Sequence, residues 1–130
     1  MGKRKPDSPG PTPTSHWLSY VAGYIDGEGS FMFDNTPCVA VSNTFPFALL
    51  KLQEVFGGTI KEREGSTGRA YFQWRLYGDG AIEFIHQVRP YLWEKLPQAD
   101  LVLRIRDTAP GRQREGLVAQ LKQLKRLDYS

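Results

Sequence analysis

The stretch that decides the fold is residues 17–31, which read Trp-Leu-Ser-Tyr-Val-Ala-Gly-Tyr-Ile-Asp-Gly-Glu-Gly-Ser-Phe. At 100° per residue, the first ten form a helix with two unlike faces. The narrow face carries only small or short side chains, at Ser19, Ala22, Gly23 and Asp26. The broad face is large and apolar, at Trp17, Leu18, Val21, Tyr24 and Ile25. Small residues at spacings of three and four let a second backbone approach closely, so we expect the narrow face to pack against a partner helix.

Gly27, Glu28 and Gly29 follow this helix. We expect the glycines to end it with a positive φ, which is a common exit at helix C-termini. Glu28 is then an acidic side chain held at the end of a helix that packs against a partner. A Gly-Glu-Gly sequence alone would indicate only a helix end with a solvated Glu. The longer run of residues that contains it is more specific.

The run Val21-Ala22-Gly23-Tyr24-Ile25-Asp26-Gly27-Glu28-Gly29 resembles the LAGLIDADG motif of homing endonucleases. The small pair, the apolar pair, the Asp-Gly-acid-Gly end and the following Ser-Phe all fall in register. In that family the helix packs against a second copy of itself. This implies a dimer interface at Ser19, Ala22, Gly23 and Asp26.

The same resemblance implies a metal site at the end of the motif. The last acidic residue of each copy binds the catalytic metal, which carries over to Glu28, and the carbonyl of Gly27 is a further ligand. Glu stands here where Asp is the commoner residue, but it presents the same carboxylate. The cofactor implied is Mg²⁺ or Mn²⁺.

The motif occurs once, and the chain contains no internal repeat. Members of the family carry the helix either twice in one chain or once in each subunit. A single copy therefore implies a symmetric homodimer with the motif helix on the two-fold axis.

Length and composition allow one domain and leave the function open. The chain has 130 residues, enough for one core, and residues 15–130 are interpreted as a single domain after a disordered, basic, Pro- and Gly-rich tail at residues 1–14. The net charge of +3 permits nucleic-acid binding without predicting it. No apolar run is long enough to span a membrane, so no membrane partner is expected.

Cysteine usage bears on the compartment. The single cysteine, Cys38, excludes an internal disulfide framework. This favours an intracellular setting, in the cytoplasm or, in a eukaryote, in an organelle or the nucleus.

Hydrophobic periodicity predicts the order of elements after the motif helix. Alternating residues predict strands at 30–34, 38–42, 59–64 and 69–77, and helical spacing predicts helices at 45–56, 79–92, 97–107 and 113–127. Asp79 is expected to cap the third helix. Both strand pairs have the pattern of hairpins, so the predicted fold is α+β, an α-β-β-α-β-β-α core with a four-stranded antiparallel sheet plus C-terminal helices. The family resemblance implies the same core, with the sheet curved over DNA.

Strand alternation also predicts which side chains point away from the helices. The outward set is Ser30, Met32, Asp34, Ala40, Ser42, Lys61, Arg63, Tyr71, Gln73, Arg75 and Tyr77. A solvated face explains the first two strands adequately. The last two strands combine tyrosines with Arg and Gln, which read guanine and adenine in the major groove. We therefore predict that this face binds double-stranded DNA.

Two further residues are assigned by resemblance to positions near the active site. Lys95, which follows Pro90-Tyr91-Leu92, matches a lysine that polarises the attacking water or steadies the phosphate. Asn43 matches a polar position near the metals. With Glu28, they are the predicted catalytic residues.

Three interpretations of the function stay open. The first is a homodimeric, metal-dependent, sequence-specific endonuclease that cuts both strands of a long, roughly palindromic site, leaving short 3′ overhangs. The second is a non-enzyme of the same fold, either an RNA maturase that binds intron RNA or a DNA-binding regulator. Basic residues in the last helix keep this second interpretation open. The third is an inactive remnant.

Overall fold

The structure, a computed structural model, describes residues 14–128. The tail predicted at residues 1–14 therefore lies outside the described residues, apart from Thr14. Thr14 caps the first helix, since its hydroxyl accepts a hydrogen bond of 3.1 Å from the backbone N–H of Trp17. This is the interaction expected of a threonine at a helix N-terminus.

Within residues 14–128, five α-helices and four strands follow one another in the predicted order. They are α1 (Ser15–Glu28), β1 (Gly29–Asp34), β2 (Thr36–Asn43), α2 (Phe47–Phe56), β3 (Thr59–Glu64), β4 (Ala70–Tyr77), α3 (Gly78–Val88), α4 (Leu96–Asp107) and α5 (Arg112–Asp128). The strands form one curved sheet in the order β1-β2-β4-β3, and each neighbouring pair is antiparallel. The predicted α+β class is confirmed.

One face of the sheet builds the core. Alternate residues of the strands turn toward the helices, and they join the core cluster at Phe31, Phe33, Val39, Val41, Trp74 and Leu76. Trp74 lies at the centre, fully buried. Its indole N–H donates to the carbonyl of Gly57 (2.8 Å), and its ring meets the edge of Phe84. The hydrogen bond to Gly57 thus gives a partner to the one polar atom of this buried aromatic side chain.

The predicted exit from α1 was wrong. The helix continues through Glu28, and Gly29 leaves it in an extended conformation (φ −97°, ψ 174°). Gly29 is required by space rather than by φ, because a Cβ there would lie 2.9 Å from the Cγ2 of Ile25 and 3.0 Å from its carbonyl oxygen. Gly27 lies inside the helix, and a Cβ on it would meet no atom within 4 Å.

Two turns differ from the prediction. The β1–β2 turn is shorter than expected, since Asn35 alone makes it, with a φ of 67°, and Thr36 and Pro37 already belong to β2.

α3 ends at Val88 and a 3₁₀ turn follows at Arg89–Tyr91, because Pro90 has no N–H with which to continue the helix. Asp79 is not the cap of α3 but lies in its first turn, paired with Arg106.

The close approach at Gly29 yields a stability prediction. We expect Gly29→Ala to lower the free energy of unfolding by about 1–3 kcal/mol, because the methyl group overpacks against Ile25. Urea unfolding followed by circular dichroism measures this change.

The matched control is Gly116→Ala in α5, where a Cβ would meet nothing within 4 Å. It should raise the free energy of unfolding by about 0.5–1 kcal/mol, since Ala favours helix over Gly. Equal effects of the two substitutions would contradict the explanation by space.

Candidate nucleic-acid interface and active site

The exposed stripe of α1 is rotated relative to the predicted one. Ser19, Gly23 and Gly27 are exposed along it, together with Tyr20. Ala22, predicted at the dimer interface, is fully buried within its own subunit and offers no surface to a partner. α1 packs against α3, the following 3₁₀ turn and the first two strands, and Ala22 belongs to the buried core cluster.

Asp26 is also committed within its own chain. Its carboxylate accepts hydrogen bonds from the backbone N–H groups of Trp93 (2.8 Å) and Lys95 (3.0 Å). Asp26 was predicted at the dimer interface, and within its own chain it holds segment 92–95 against the C-terminal turn of α1. Its contact with a partner stays a prediction. Hydrogen bonds to a carboxylate are stronger than those between neutral groups.

Glu28 and Lys95 both lie at the C-terminal end of α1. Glu28 is exposed, at the last position of the helix. Lys95 is 8% exposed, and its ammonium donates a 2.7 Å hydrogen bond to the carbonyl of Asp26, two residues before Glu28. A positive charge is favourable at a helix C-terminus, where unpaired carbonyls collect. The structure thus brings the predicted lysine to the same helix end as the predicted metal ligand.

Asn43 lies at the end of β2, half-buried. Its amide nitrogen donates to the hydroxyl of Tyr24 (2.7 Å), and its amide oxygen accepts from the N–H of Phe45 (3.1 Å). Tyr24 lies one turn before Glu28 on α1. Asn43 therefore orders the turn into α2 and braces α1 near Glu28, and a direct catalytic role for it stays a prediction.

The C-terminal end of α1 presents oxygen donors of the kind that divalent ions bind. Mg²⁺ prefers oxygen ligands, and Glu28 with the carbonyl of Gly27 offers these. Nowhere in residues 14–128 do three His, Cys, Asp or Glu side chains gather as a metal site. The donor type fits a divalent ion, and one carboxylate with a carbonyl leaves further ligand positions to water, to substrate phosphate or to a second chain.

The sheet face away from the core starts beside Glu28, because β1 follows α1 directly. Strand register arranges its side chains in three main rows. They are Met32–Cys38–Tyr77, Ser30–Ala40–Arg75–Thr59 and Ser42–Gln73–Lys61. Asp34 lies beyond the first row and Tyr71 with Arg63 beyond the last, so the predicted residues all lie on the same face of the sheet.

Gln73 is the centre of a hydrogen-bond network on this face. Its amide oxygen accepts from the Nε groups of Arg63 (3.1 Å) and Arg75 (3.0 Å), and its amide nitrogen donates to Ser42 (3.3 Å). Arg75 also donates to the Tyr77 hydroxyl (3.3 Å). That hydrogen bond raises the pKa of Arg75, so its guanidinium stays charged.

A concavity of about 160 Å³ is lined by Arg63, Gln73, Arg75 and Tyr77, together with Lys61 and Thr59. Thr59 was missed from the sequence, although it has the same strand parity as Lys61 and Arg63. The polar and cationic lining contrasts with the apolar opposite face. The concavity is therefore suited to an anionic partner with hydrogen-bonding edges.

Ala40 does not belong to the accessible surface. It is 5% exposed, between its register partners on β1 and β4, so it offers little surface for the predicted contact with DNA, which stays a prediction. Cys38 in the next row is 4% exposed. Burial raises the pKa of the Cys38 thiol, against the opposing effect of Arg75, so this cysteine packs as a neutral group.

The Asp26 hydrogen bonds yield a second prediction. We expect Asp26→Ala to lower the free energy of unfolding by about 1–3 kcal/mol, because it leaves the N–H groups of Trp93 and Lys95 without their acceptor. Asp79→Ala is the control, since its carboxylate is 92% exposed and pairs with Arg106 at the surface. That change should cost about 0–1 kcal/mol. Equal losses in urea unfolding would contradict the special role of Asp26.

Solved structures of known proteins share the fold of this chain. No protein-family model matches the sequence, and no curated protein matches it significantly. One solved structure of the homing endonuclease I-CvuI superimposes with a TM-score of 0.68 at 22% identity, over 85% of this chain and 82% of that one. A second structure of I-CvuI superimposes with a TM-score of 0.64 at 22% identity, over 82% of this chain and 80% of that one. The archaeal intron-encoded homing endonuclease I-Vdi141I superimposes with a TM-score of 0.56 at 15% identity, over 83% of this chain and 96% of that one. This chain therefore has the fold of the LAGLIDADG homing endonucleases.

Proposed function

We propose that this protein is a sequence-specific DNA endonuclease that acts as a homodimer and uses Mg²⁺ or Mn²⁺ to cut both strands of a long, roughly palindromic site. The observation that carries the proposal is the position of Glu28. It is an exposed carboxylate at the end of α1, where the chain passes directly into the first strand of the polar sheet face.

The structural neighbours support a DNA substrate. I-CvuI was crystallised with its target in the presence of Ca, and with an I-CreI target in the presence of Mg without cleavage. I-Vdi141I was crystallised as a complex with DNA. By analogy of fold, this chain would place its sheet in the same role.

The side chains of the sheet face suit base recognition. Arg pairs bidentately with guanine and Gln with adenine in the major groove, which admits a two-stranded ribbon. In the free protein, Arg63 and Arg75 both donate to Gln73, so these three side chains are already arranged before DNA arrives. Lys61 would add an electrostatic contact to phosphate.

The exposed stripe of α1 supports a homodimer. Gly23 and Gly27 have open space where a side chain would begin, which leaves room for a second backbone. A symmetric partner would bring its own Glu28 to the site, which would add a second carboxylate ligand for the metal ions. The close backbone approach and the shared site are both achieved when the two α1 helices lie side by side with their C-terminal ends together.

The chemistry then divides between the metal and the chain. Glu28 and the carbonyl of Gly27, from each subunit, would hold the ions, which supply an activated water and charge neutralisation at phosphorus. Lys95 adds a positive charge at the same helix end, where it steadies the phosphate or polarises the attacking water. Asp26 positions Lys95 by binding its backbone N–H.

A second candidate is a family member that binds nucleic acid without cutting it, as an intron RNA maturase or a DNA-binding regulator. The observation that favours it is the outer surface of α5, where Arg112, Lys122 and Arg126 are exposed. These residues are remote in sequence from the proposed site and would extend a basic surface. Retention of Glu28 and Lys95 favours the enzyme.

The metal-ligand role of Glu28 can be tested directly. We expect Glu28→Gln to abolish cleavage of a DNA site selected by the wild-type protein, while binding to that site in Ca²⁺ stays within about threefold, because the amide keeps the shape but loses the charge that a divalent ion requires. Gel-shift and cleavage assays measure the two properties.

Glu62→Gln on the exposed strand β3 is the matched control, since it makes the same chemical change on the helix-facing side of the sheet. It should leave cleavage unchanged. Cutting by the Glu28→Gln protein at the wild-type rate would refute the assignment of Glu28.

The DNA-binding face yields a further prediction. We expect Arg75→Ala to weaken binding to the selected site by about 10–100-fold, corresponding to about 1–3 kcal/mol for a base contact, and to relax the sequence preference at one position in each half-site. Arg104→Ala, an exposed arginine on α4, should change binding by less than about threefold. Equal effects of the two variants would show that binding depends on net charge and not on this face.

A further inference from the structure

Trp93 is the most exposed large apolar side chain among the described residues. Its side chain is 85% exposed, although its backbone N–H is held by the Asp26 carboxylate. The segment is therefore fixed while the indole projects into solvent. Tryptophan is a large apolar group that is enriched at protein interfaces, so a held and projecting indole has the properties of a contact residue.

An apolar groove of about 410 Å³ lies between α1 and α2. Trp17, Tyr20 and Tyr24 line it from α1, and Phe47 and Lys51 line it from α2. Tyr20 is 61% exposed and Phe47 is 75% exposed, so the groove is open and its aromatic walls lack cover within the described chain. The groove is large enough to receive an aromatic ring.

Trp93 and this groove lie on opposite flanks of the exposed stripe of α1. At 100° per residue, Asp26 is turned about 60° from Gly23 in one sense, and Tyr24 about 100° in the other. Asp26 holds Trp93, and Tyr24 is a wall of the groove. The stripe of Gly23 and Gly27 runs between them.

The proposed function fixes how two copies would meet, and the inference rests on it. Both Glu28 carboxylates must reach one site, so the two α1 helices run in the same direction and the two-fold axis runs along them. Such an axis places one flank of each helix against the opposite flank of its partner. An isologous interface then pairs residue i with j and j with i.

From this geometry we infer that Trp93 of each subunit inserts into the α1–α2 groove of the other subunit. A charged contact is available at the same place, because exposed Glu94 follows Trp93 and Lys51 lines the groove, where it also forms an exposed ion pair with Glu54 (3.5 Å). The two contacts flank the helix pair symmetrically. They add an aromatic anchor on each side of an α1 stripe that is itself nearly devoid of large side chains.

Cysteine cross-linking tests the pairing in the full chain, in a Cys38→Ala background that removes the native thiol. A tagged Trp93→Cys protein is mixed with an untagged Phe47→Cys protein and treated with a short bis-maleimide. We expect a cross-linked heterodimer. Trp93→Cys alone should not cross-link, because the two copies of residue 93 lie on opposite sides of the axis, and Trp93→Cys with Leu127→Cys should not either.

Gly23→Cys alone reports on the dimer itself, since residue 23 lies near the axis. Cross-linking of Gly23→Cys without cross-linking between positions 93 and 47 would overturn the groove contact and leave the proposed homodimer intact. Absence of both products would overturn the homodimer and the groove contact together.

Affinity provides a second measurement. In sedimentation equilibrium, Trp93→Ala should raise the dimer dissociation constant at least tenfold, because aromatic anchors at interfaces carry much of the binding free energy. Trp93→Phe should restore most of the affinity, and Leu127→Ala, at another exposed apolar residue, should leave it unchanged. A Trp93→Ala dissociation constant equal to that of the wild type would overturn the inference.

Discussion

The structure depends on how α1 ends. Val21 and Ile25 bury one side of the helix in the core, and the Asp26 carboxylate binds the backbone of segment 92–95 on the next side. These two constraints set the rotation of α1 about its axis. That rotation leaves the Gly23 and Gly27 stripe in solvent, sends the chain into β1 at Gly29 and places Glu28 beside the sheet.

The two faces of the sheet have different roles, one in stability and the other in the proposed recognition of DNA. The helix-facing parity supplies the core, including Trp74, whereas the other parity carries the Arg63–Gln73–Arg75 network. Because side chains alternate strictly along a strand, one register serves both roles. A shift of the β4 register by one residue would move its core side chains to the polar face and its polar side chains to the core. The fold and the proposed DNA-binding face therefore share the same constraint.

Local patterns in the sequence predicted most of the fold, because helix and strand periodicities report burial directly. β3 was predicted to the residue, and the strand register places the residues predicted to point outward on one face of the sheet, with Ala40 nearly buried and Thr59 omitted from the prediction. The orientation of Ala22 and Asp26 was missed because it depends on contacts with α3 and with segment 92–95, the latter some 67 residues away in sequence. No periodicity within α1 contains that information.

We propose that two copies of this chain recognise one DNA site and cut it where their Glu28 residues come together. The most direct measurement is selection of bound sequences from a randomised duplex library in Ca²⁺, followed by transfer of the selected DNA to Mg²⁺ and mapping of breaks on both strands. The account predicts a two-fold-symmetric site that Mg²⁺ cuts at its centre. A selected site that lacks symmetry, or one that stays intact in both Mg²⁺ and Mn²⁺, would contradict it.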